Sequence, residues 1–279
     1  MYRLLLALSV IGATVACPDH NYAVHSKYLG RRAEPGVKDW DYDASYNWGS
    51  INPNYTLCQT GTQQAPIHLQ STDGFSTAHV PTFHYDTPLS GNLLNWNYGP
   101  AFTVDTSNMS LTSSASFTFD DETVYLKGWH IHSPADHSVD GQKSRSELHL
   151  VHGDATGHES AVLAILMDPG IEDSAFAAQF ATTINGTAPD STKVPNFDSA
   201  SSLPMSGMDV RLAVKEADNF SEFWTYNGSL TSPPCTEGIR FFVAKKVMTV
   251  GMTQMQEILR VSTFSARDEQ KVWMHGVNV

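Results

Sequence analysis

WHIH (129–132) and SELHLV (146–151) are the two stretches that decide the fold, because the side chains in both alternate with a period of two. Successive side chains of a β-strand point to opposite faces, so His130 and His132 share one face, about 7 Å apart along the chain. In the second stretch Glu147, His149 and Val151 share a face, and the leucines take the other. We predict that both stretches are strands of a half-buried sheet.

Short alternating segments on either side extend this sheet. They lie at 102–104, 117–119 and 124–126, separated by turns such as SGN (90–92) and DG (140–141). The apolar run 161–167 predicts a buried central strand, and 238–247 predicts a further strand.

Two helices and two irregular regions are also predicted. Apolar residues at helical spacing indicate a helix over 171–184 packed on the sheet and a short helix over 252–259. The segment 39–61 has no sustained period and is expected to be irregular and anchored by its aromatic residues. The Pro- and Ser-rich segment 185–206 is expected to be a surface excursion.

Antiparallel pairing of the first two strands would place His149 beside His130 and His132. One tetrahedral zinc ion accepts three imidazoles and keeps its fourth position for water, which is typical of catalytic zinc sites. Glu147 would then accept the remaining N–H of a ligand histidine and fix its orientation. The sequence therefore predicts a Zn²⁺ site. The other histidines are predicted to be surface or loop residues, namely His20, His25, His152, His158 and His275.

Composition and charge limit the protein class. At 279 residues the chain suits one large domain, and a formal charge of -12 with few clustered cations excludes a nucleic-acid partner. Arg3, an apolar run over 4–15 and small residues before Cys17 predict a signal peptide at 1–16 and a secreted, extracellular protein. The apolar run is too short for a membrane span, and no lipid-anchor signal is expected at the C-terminal end.

The predicted layout places a leader or pro-segment at 17–38 and one catalytic domain at 39–279. The GRRA motif (30–33) resembles a dibasic processing site, although a solvated charge pair explains it equally well. Five N-x-[ST] sequons are glycosylation candidates in a secreted chain. They are Asn54, Asn108, Asn185, Asn219 and Asn227.

Three cysteines in an oxidising compartment suggest one disulfide. Cys17 lies at the predicted cleavage point, which leaves Cys58 and Cys235 as the pair. In the chain-entropy description, closing so long a loop stabilises the fold by roughly 4 to 5 kcal/mol, less any strain. Two free buried thiols are the alternative.

Three motifs in chain order resemble the alpha-class carbonic anhydrases: the WHIH pair, then DHSVD (136–140) leading to SELHLVH, then WTYNGSLTSPPC (224–235). The resemblance covers the chain from Trp40 to its C-terminus. It implies a single domain of mainly β (α+β) class, built around a large, twisted, mostly antiparallel sheet with short peripheral helices. Cys58 and Cys235 also match the disulfide position of extracellular members.

The resemblance implies reversible hydration of carbon dioxide to bicarbonate and a proton by a zinc-bound hydroxide. In this family zinc lowers the pKa of its water to about 7. Thr231 would orient that hydroxide and give its own proton to Asp136. An apolar pocket beside the metal would hold the substrate, although ordinary core packing also explains its residues. Its members would be Val151, Val162, Leu230, Ser232 and Ile239.

Three positions depart from the family pattern. Asp136 replaces a glutamate and is one methylene shorter, and we expect it still to contact Thr231 within about 4 Å. Gly128 replaces a glutamine that supports the first zinc histidine, and we expect water or a backbone carbonyl to substitute. Pro100 replaces a proton-shuttling histidine, so turnover is predicted to be limited by proton export.

Other functions weighed against this prediction are a zinc esterase and a catalytically silent binding module of the same fold. The three retained histidines disfavour the silent module. A zinc peptidase is disfavoured because the chain contains no H-E-x-x-H motif. The sequence leaves the oligomeric state and the physiological role open.

Overall fold

The computed structural model describes residues 40–107, 109–181 and 202–279. Strands are its main elements: β1 His68–Leu69, β2 Thr82–His84, β3 Leu89–Asn95, β4 Pro100–Val104, β5 Ser116–Phe119, β6 Glu122–His132, β7 Ser138–Val139, β8 Ser146–Gly153, β9 Glu159–Gly170, β10 Leu203–Met208, β11 Phe223–Ser229, β12 Glu237–Ala244 and β13 Met248–Gly251. The α-helices are short: α1 Trp48–Ile51, α2 Leu57–Thr60, α3 Arg211–Glu216 and α4 Met252–Arg260. Six single 3-10 turns complete the structure: Ser45–Asn47, Pro53–Tyr55, Ser71–Asp73, Leu111–Ser113, Ala177–Gln179 and Asp218–Phe220.

One sheet organises these elements. Its strands follow the order β10-β3-β4-β6-β8-β9-β12-β11, with β13 also paired to β9, and β2 reaching β6 through β5. The pairings in this sheet are antiparallel except for β9 with β12 and β9 with β13, which are parallel. The short strands β1 and β7 form a separate two-stranded parallel sheet. The predicted fold class, mainly β around a large and mostly antiparallel sheet with short helices, is confirmed. No helix in the described ranges is long and apolar enough to cross a membrane.

The two faces of the central strands carry different side chains because alternation separates them. Trp129 and Ile131 of β6 join Leu148 and Leu150 of β8 in the larger hydrophobic cluster. Val151 lies on the opposite face, in a smaller cluster. Every residue of β8 is buried, so each polar side chain on this strand needs a hydrogen-bond partner.

The segment 40–61 forms the aromatic cluster predicted for it. Trp40, Tyr42 and Trp48 pack edge to face against one another, with ring centroids 5.2 to 5.6 Å apart. Cys58 and Cys235 belong to the same buried cluster and form the predicted disulfide, with their Cα atoms 5.1 Å apart. The disulfide thus attaches the N-terminal aromatic segment to the loop after β11.

Two secondary-structure predictions are wrong in the described part of the chain. The predicted helix covers 171–184, and the structure describes this segment as far as residue 181. Its only helical element there is the 3-10 turn Ala177–Gln179. Phe176 and Phe180 pack on Trp129, whereas Ile171 is 97% exposed, so the apolar spacing marks two anchors and not a helical face. The excursion expected over 185–206 ends in edge strand β10, which pairs with β3.

Several predictions concern residues outside the described ranges. These are the signal peptide at 1–16, the leader at 17–38, the histidines at 20 and 25, and the sequons at Asn108 and Asn185. They remain predictions.

Candidate metal centre

Strand pairing brings the three predicted histidines together. In the β6–β8 register His130 lies directly opposite His149, and His132 lies opposite Glu147. The Nε2 atoms of His130 and His132 are 3.0 Å apart, and one nitrogen from each of the three rings lies within 4.8 Å of the other two. The three side chains are buried, at 5%, 0% and 2% exposure for His130, His132 and His149. The predicted convergence is therefore present.

Hydrogen bonds set which nitrogen two of these rings present. Nδ1 of His132 donates to the carbonyl of Ser265 at 2.6 Å, which leaves the Nε2 lone pair facing the other histidines. Nε2 of His149 donates to Glu147 at 2.8 Å, which leaves Nδ1 as its ligand nitrogen. Glu147 therefore has its predicted supporting role.

Glu147 also joins the centre to the core. Its two oxygens accept the backbone N–H of His137 at 2.8 Å and Nδ1 of the same residue at 2.6 Å. Nε2 of His137 contacts the hydroxyl of Tyr226 at 2.6 Å. His137, Glu147 and His149 also lie within 4.8 Å of one another, but the carboxylate bonds both imidazoles, so the group supports the first site and is not a second one.

The pKa values of two buried groups in the centre, His132 and Glu147, depart from their ordinary values. Burial lowers the pKa of His132, although the Asp136 carboxylate acts in the opposite direction. Burial alone would raise the pKa of Glu147, but His137 and His149 outweigh it and hold that pKa well below its usual value. The Glu147 carboxylate is thus charged, and its bond to Nε2 of His149 leaves Nδ1 of that ring available to a cation.

The donor set fits a tetrahedral zinc ion. Two nitrogens about 2.1 Å from one such ion lie about 3.4 Å apart, close to the 3.0 Å between the Nε2 atoms of His130 and His132. Three neutral imidazoles leave one coordination position for solvent or substrate. The residues present can therefore hold Zn²⁺ in the geometry of a catalytic site.

A narrow cavity of about 20 Å³ lies beside the histidines, which is room for about one water molecule. Four of the five predicted pocket residues line it: Val151, Val162, Leu230 and Ser232. Thr231 also lines it. The fifth, Ile239, does not line the cavity and is buried in the same hydrophobic cluster as Val151, Val162 and Leu230.

Two cavity residues were missed from the sequence. Phe241 lies two residues after Ile239 on β12, so strand alternation could have identified it. Tyr42 comes from the irregular N-terminal segment, for which no local period exists. Its ring meets that of His132 edge to face, with centroids 5.8 Å apart.

The predicted contact of Asp136 with Thr231 is not among the interactions that the structure describes for this carboxylate, and it stays a prediction. Oδ1 of Asp136 accepts the backbone N–H of Arg267 at 2.8 Å. Oδ2 is buried without a hydrogen-bond partner among the described residues and lies 3.4 Å from Nε2 of His132. An aspartate reaches one methylene less far than a glutamate, and this carboxylate ends beside the imidazole.

Arg267 connects Asp136 with the disulfide. Its buried guanidinium donates to the carbonyls of Cys58 and Ala65 at 2.9 and 2.7 Å, and to Oε1 of Gln64 at 2.9 Å. Burial lowers its pKa to about 10, so the group stays charged at neutral pH. The same residue thus holds the Asp136 carboxylate through its backbone and the N-terminal segment through its side chain.

The presence of glycine at position 128 has a steric explanation that the sequence did not reveal. A Cβ at this position would lie 2.1 Å from the carbonyl oxygen of Phe102 on β4, so no side chain fits without moving a strand. A glutamine at 128 therefore cannot be introduced to restore the family pattern. Support for the His130 ring has to come from other elements.

Two histidines predicted at the surface are buried. His152 is 0% exposed and bonds the hydroxyl of Tyr85 at 2.7 Å and the carbonyl of Leu150 at 3.0 Å. His275 is also 0% exposed, with Nε2 2.8 Å from the carbonyl oxygen of Gln64. Both rings satisfy buried polar groups. His158 is exposed, as predicted.

A large, mostly antiparallel sheet that presents three buried, convergent imidazoles beside a narrow cavity defines the class: a β-sheet protein with a buried three-histidine cluster. The chain belongs to the eukaryotic-type carbonic anhydrase family, whose profile matches residues 43–277. A curated relative is the carbonic anhydrase of Klebsiella pneumoniae, 28% identical over 251 residues that cover 90% of this chain and 86% of the relative.

Solved structures share the fold. The alpha-carbonic anhydrase of Photobacterium profundum has a TM-score of 0.66 at 21% identity, covering 85% of this chain and 99% of that one. Dioscorin, solved in complex with ascorbate, has a TM-score of 0.64 at 23% identity, covering 86% and 95% of the two chains. At these identities the likeness establishes the fold, and the function has to be argued from the site.

Proposed function

We propose that this protein is a zinc-dependent carbonic anhydrase that converts carbon dioxide and water reversibly into bicarbonate and a proton. The observation that carries the proposal is the convergence of His130, His132 and His149 on one point beside a cavity. Membership of the carbonic anhydrase family supports the same reaction. Zinc held by three neutral imidazoles supplies a nucleophile at neutral pH, because it lowers the pKa of water to about 7.

The protein positions the reactants and provides an apolar surface for the substrate. Val151, Val162 and Leu230 form an apolar wall that suits a substrate without a dipole. Thr231 lines the same cavity and orients the attacking water by hydrogen bonding. The carboxylate of Asp136 lies beside His132, and its proposed role as acceptor of the Thr231 proton stays a prediction.

Two other functions are less well supported. A catalytically silent binding module would not need three convergent imidazoles, two of them with tautomers fixed by hydrogen bonds. A zinc esterase would use the same three imidazoles, and a narrow cavity of about 20 Å³ favours the smaller substrate, carbon dioxide.

Proton export is proposed to limit turnover. Pro100 begins β4, and the histidines that line the cavity are the metal-binding His130 and His149. A proline has no group that carries protons. A rise in kcat with added imidazole buffer is expected, and an unchanged kcat with a small solvent isotope effect would contradict this proposal.

Secretion and glycosylation are proposed from the sequence. Asn54 and Asn219 are exposed, whereas Asn227 is half-buried on β11. We expect a secreted protein that begins after residue 16 and carries sugar on one or more of the exposed sequons. N-terminal sequencing and a mobility shift on deglycosylation test this.

The central experiment compares metal content with carbon dioxide hydration. Purified protein is assayed by metal analysis and stopped-flow hydration as isolated, after chelation, and after zinc is restored. We expect about one zinc per chain and activity that follows zinc content. His130→Ala should abolish both, while His158→Ala, which changes an exposed histidine, should retain both. Zinc-loaded wild type without hydration activity would refute the proposed reaction.

A further inference from the structure

Two aromatic side chains outside the cavity wall pack against the metal-binding histidines. The ring centroid of Trp96 lies 5.0 Å from that of His130, with the planes inclined by 35°. Tyr98 stacks on His132 at 5.5 Å with an interplanar angle of 19°, and meets His130 nearly perpendicularly at 6.2 Å. Both side chains are buried, at 4% and 2% exposure.

The turn between β3 and β4 delivers both rings to this position. Trp96 donates its backbone N–H to the carbonyl of Gly99 at 3.1 Å, and Asn97 adopts a left-handed conformation with φ 63°. A Cβ at Gly99 would lie 2.4 Å from the carbonyl oxygen of Ile131. The turn therefore lies directly against β6 between its two histidines, and only glycine permits this approach.

The C-terminal segment holds the turn in place. The side-chain amide of Asn95 donates to the carbonyl of Val261 at 2.7 Å. The backbone N–H of Thr263 donates to the carbonyl of Tyr98 at 2.9 Å. Because both ends of the turn are tied to the same segment, the aromatic rings form a fixed wall.

We propose that Trp96 and Tyr98 are positioning residues of the metal centre, which hold the imidazoles of His130 and His132 in the orientation that a metal ion requires. The inference rests on the proposed function. A ligand nitrogen has to point along the metal bond, and a flat ring packed on an imidazole restricts rotation of that imidazole. Neither residue was a candidate in the sequence.

Trp96 should have the larger effect. In the family, the residue at the position of Gly128 supports the first zinc histidine with its side chain. No Cβ fits at Gly128. Packing of Trp96, in the turn after β3, therefore takes over the constraint on His130. His132 is held in addition by the carbonyl of Ser265 at 2.6 Å. Loss of Tyr98 therefore leaves His132 its Ser265 hydrogen bond and its edge contact with Tyr42. Loss of Trp96 removes the tilted ring contact on His130.

The test compares two buried tryptophans of the same aromatic cluster. Trp40 is 5% exposed and packs on Tyr42 and Trp48, and no imidazole contact of its ring occurs in the described ranges. Trp96→Leu and Trp40→Leu therefore remove similar packing, and only one removes a contact with a ligand. Zinc affinity is measured by competition with a chelator, and the visible spectrum of the Co²⁺ form reports coordination geometry.

We expect Trp96→Leu to weaken zinc binding by about 10- to 100-fold and to change the Co²⁺ spectrum. Trp40→Leu should stay within about threefold of wild type with an unchanged spectrum. Tyr98→Leu should weaken zinc binding by about tenfold, and Tyr98→Phe, which keeps the ring, should restore it.

Equal zinc affinities and equal Co²⁺ spectra for Trp96→Leu and Trp40→Leu would overturn the inference. If Trp96→Leu does not fold, Trp96→Phe decides, because a smaller ring should give an intermediate loss of affinity and a wild-type affinity would overturn it. A wild type that binds no zinc would refute the proposed function itself, and this inference with it. If the wild type binds zinc and hydrates carbon dioxide, and Trp96→Leu and Trp40→Leu have equal zinc affinities, then this inference alone is refuted.

Discussion

His149 and His152 lie on the same strand, β8, and both imidazoles are buried, yet their surroundings differ. The ring of His149 faces those of His130 and His132, at centroid distances of 5.2 and 4.7 Å. The ring of His152 points to the other face of the sheet, stacks on Tyr85 and bonds its hydroxyl at 2.7 Å. One imidazole keeps a nitrogen for a cation, and the other has both nitrogens satisfied by the protein.

The difference shows that burial does not identify a functional histidine. Three residues along a strand reverse the face of a side chain, and the face decides whether an imidazole meets other imidazoles or a tyrosine. Glu147 marks the functional face, because its carboxylate bonds Nε2 of His149 at 2.8 Å and so presents Nδ1 to the site. The following predictions test this contrast.

The largest expected effect is on catalysis. His149→Ala removes one of three metal ligands and should lower the rate of carbon dioxide hydration by about a thousandfold or more. His152→Phe keeps a buried aromatic ring on the other face and should retain bound zinc and most of the activity. Stopped-flow hydration with metal analysis measures both. Loss of zinc in His152→Phe would break the distinction between the faces.

Metal-dependent stability should follow the same division. With free zinc at about a thousand times its dissociation constant, wild type and His152→Phe should gain about 4 kcal/mol in the free energy of unfolding. His149→Ala should gain far less. Urea unfolding of chelated and zinc-saturated protein measures the difference. An equal gain in His149→Ala would mean that zinc binds elsewhere.

On the face of the sheet that carries His152, the contribution to the free energy of unfolding should decrease in acid. Burial lowers the pKa of His152 from an ordinary 6.5 to about 3. Between these values the unfolded chain binds a proton that the folded chain does not, so stability falls as the pH falls from 6.5 towards 3, by about 1.4 kcal/mol per unit. His152→Phe should lose this part of the slope in urea unfolding between pH 7 and 5. An identical slope in the two proteins would contradict the prediction.

The smallest expected effect concerns a single hydroxyl. Tyr85→Phe leaves Nε2 of buried His152 without its donor and should lower the free energy of unfolding by about 1 to 3 kcal/mol, with zinc content unchanged. Tyr125→Phe, at a half-buried tyrosine of β6, should change it by less than about 0.5 kcal/mol. Equal losses in both variants would show that the bond to His152 contributes little.

Prediction from the sequence succeeded where the pattern is local. Alternation identified β6 and β8, and a continuous apolar run identified β9. His130, His132 and His149 were placed correctly, because a period of two and antiparallel pairing leave one arrangement. The disulfide followed from a count of three cysteines. The helix predicted over 171–184 failed because two phenylalanine anchors imitate helical spacing.

Prediction failed where contacts join distant segments. Tyr42 reaches the cavity from an irregular segment, and Asp136 bonds Arg267 from the far end of the chain. The burial of His152 depends on Tyr85, a residue that follows β2. Local periodicity carries no information on such pairs.

The sequence by itself determined the strands β6, β8 and β9, the face on which the histidines of β6 and β8 lie, the disulfide pair and the family resemblance, since these depend on patterns along the chain. Only the tertiary structure decided that Gly128 is excluded from carrying a side chain, that Asp136 ends beside His132, and that Trp96 and Tyr98 pack on the metal-binding rings. The physical reason is that close packing is set by the distances between segments remote in sequence, and a difference of one methylene or one Cβ changes which atoms meet.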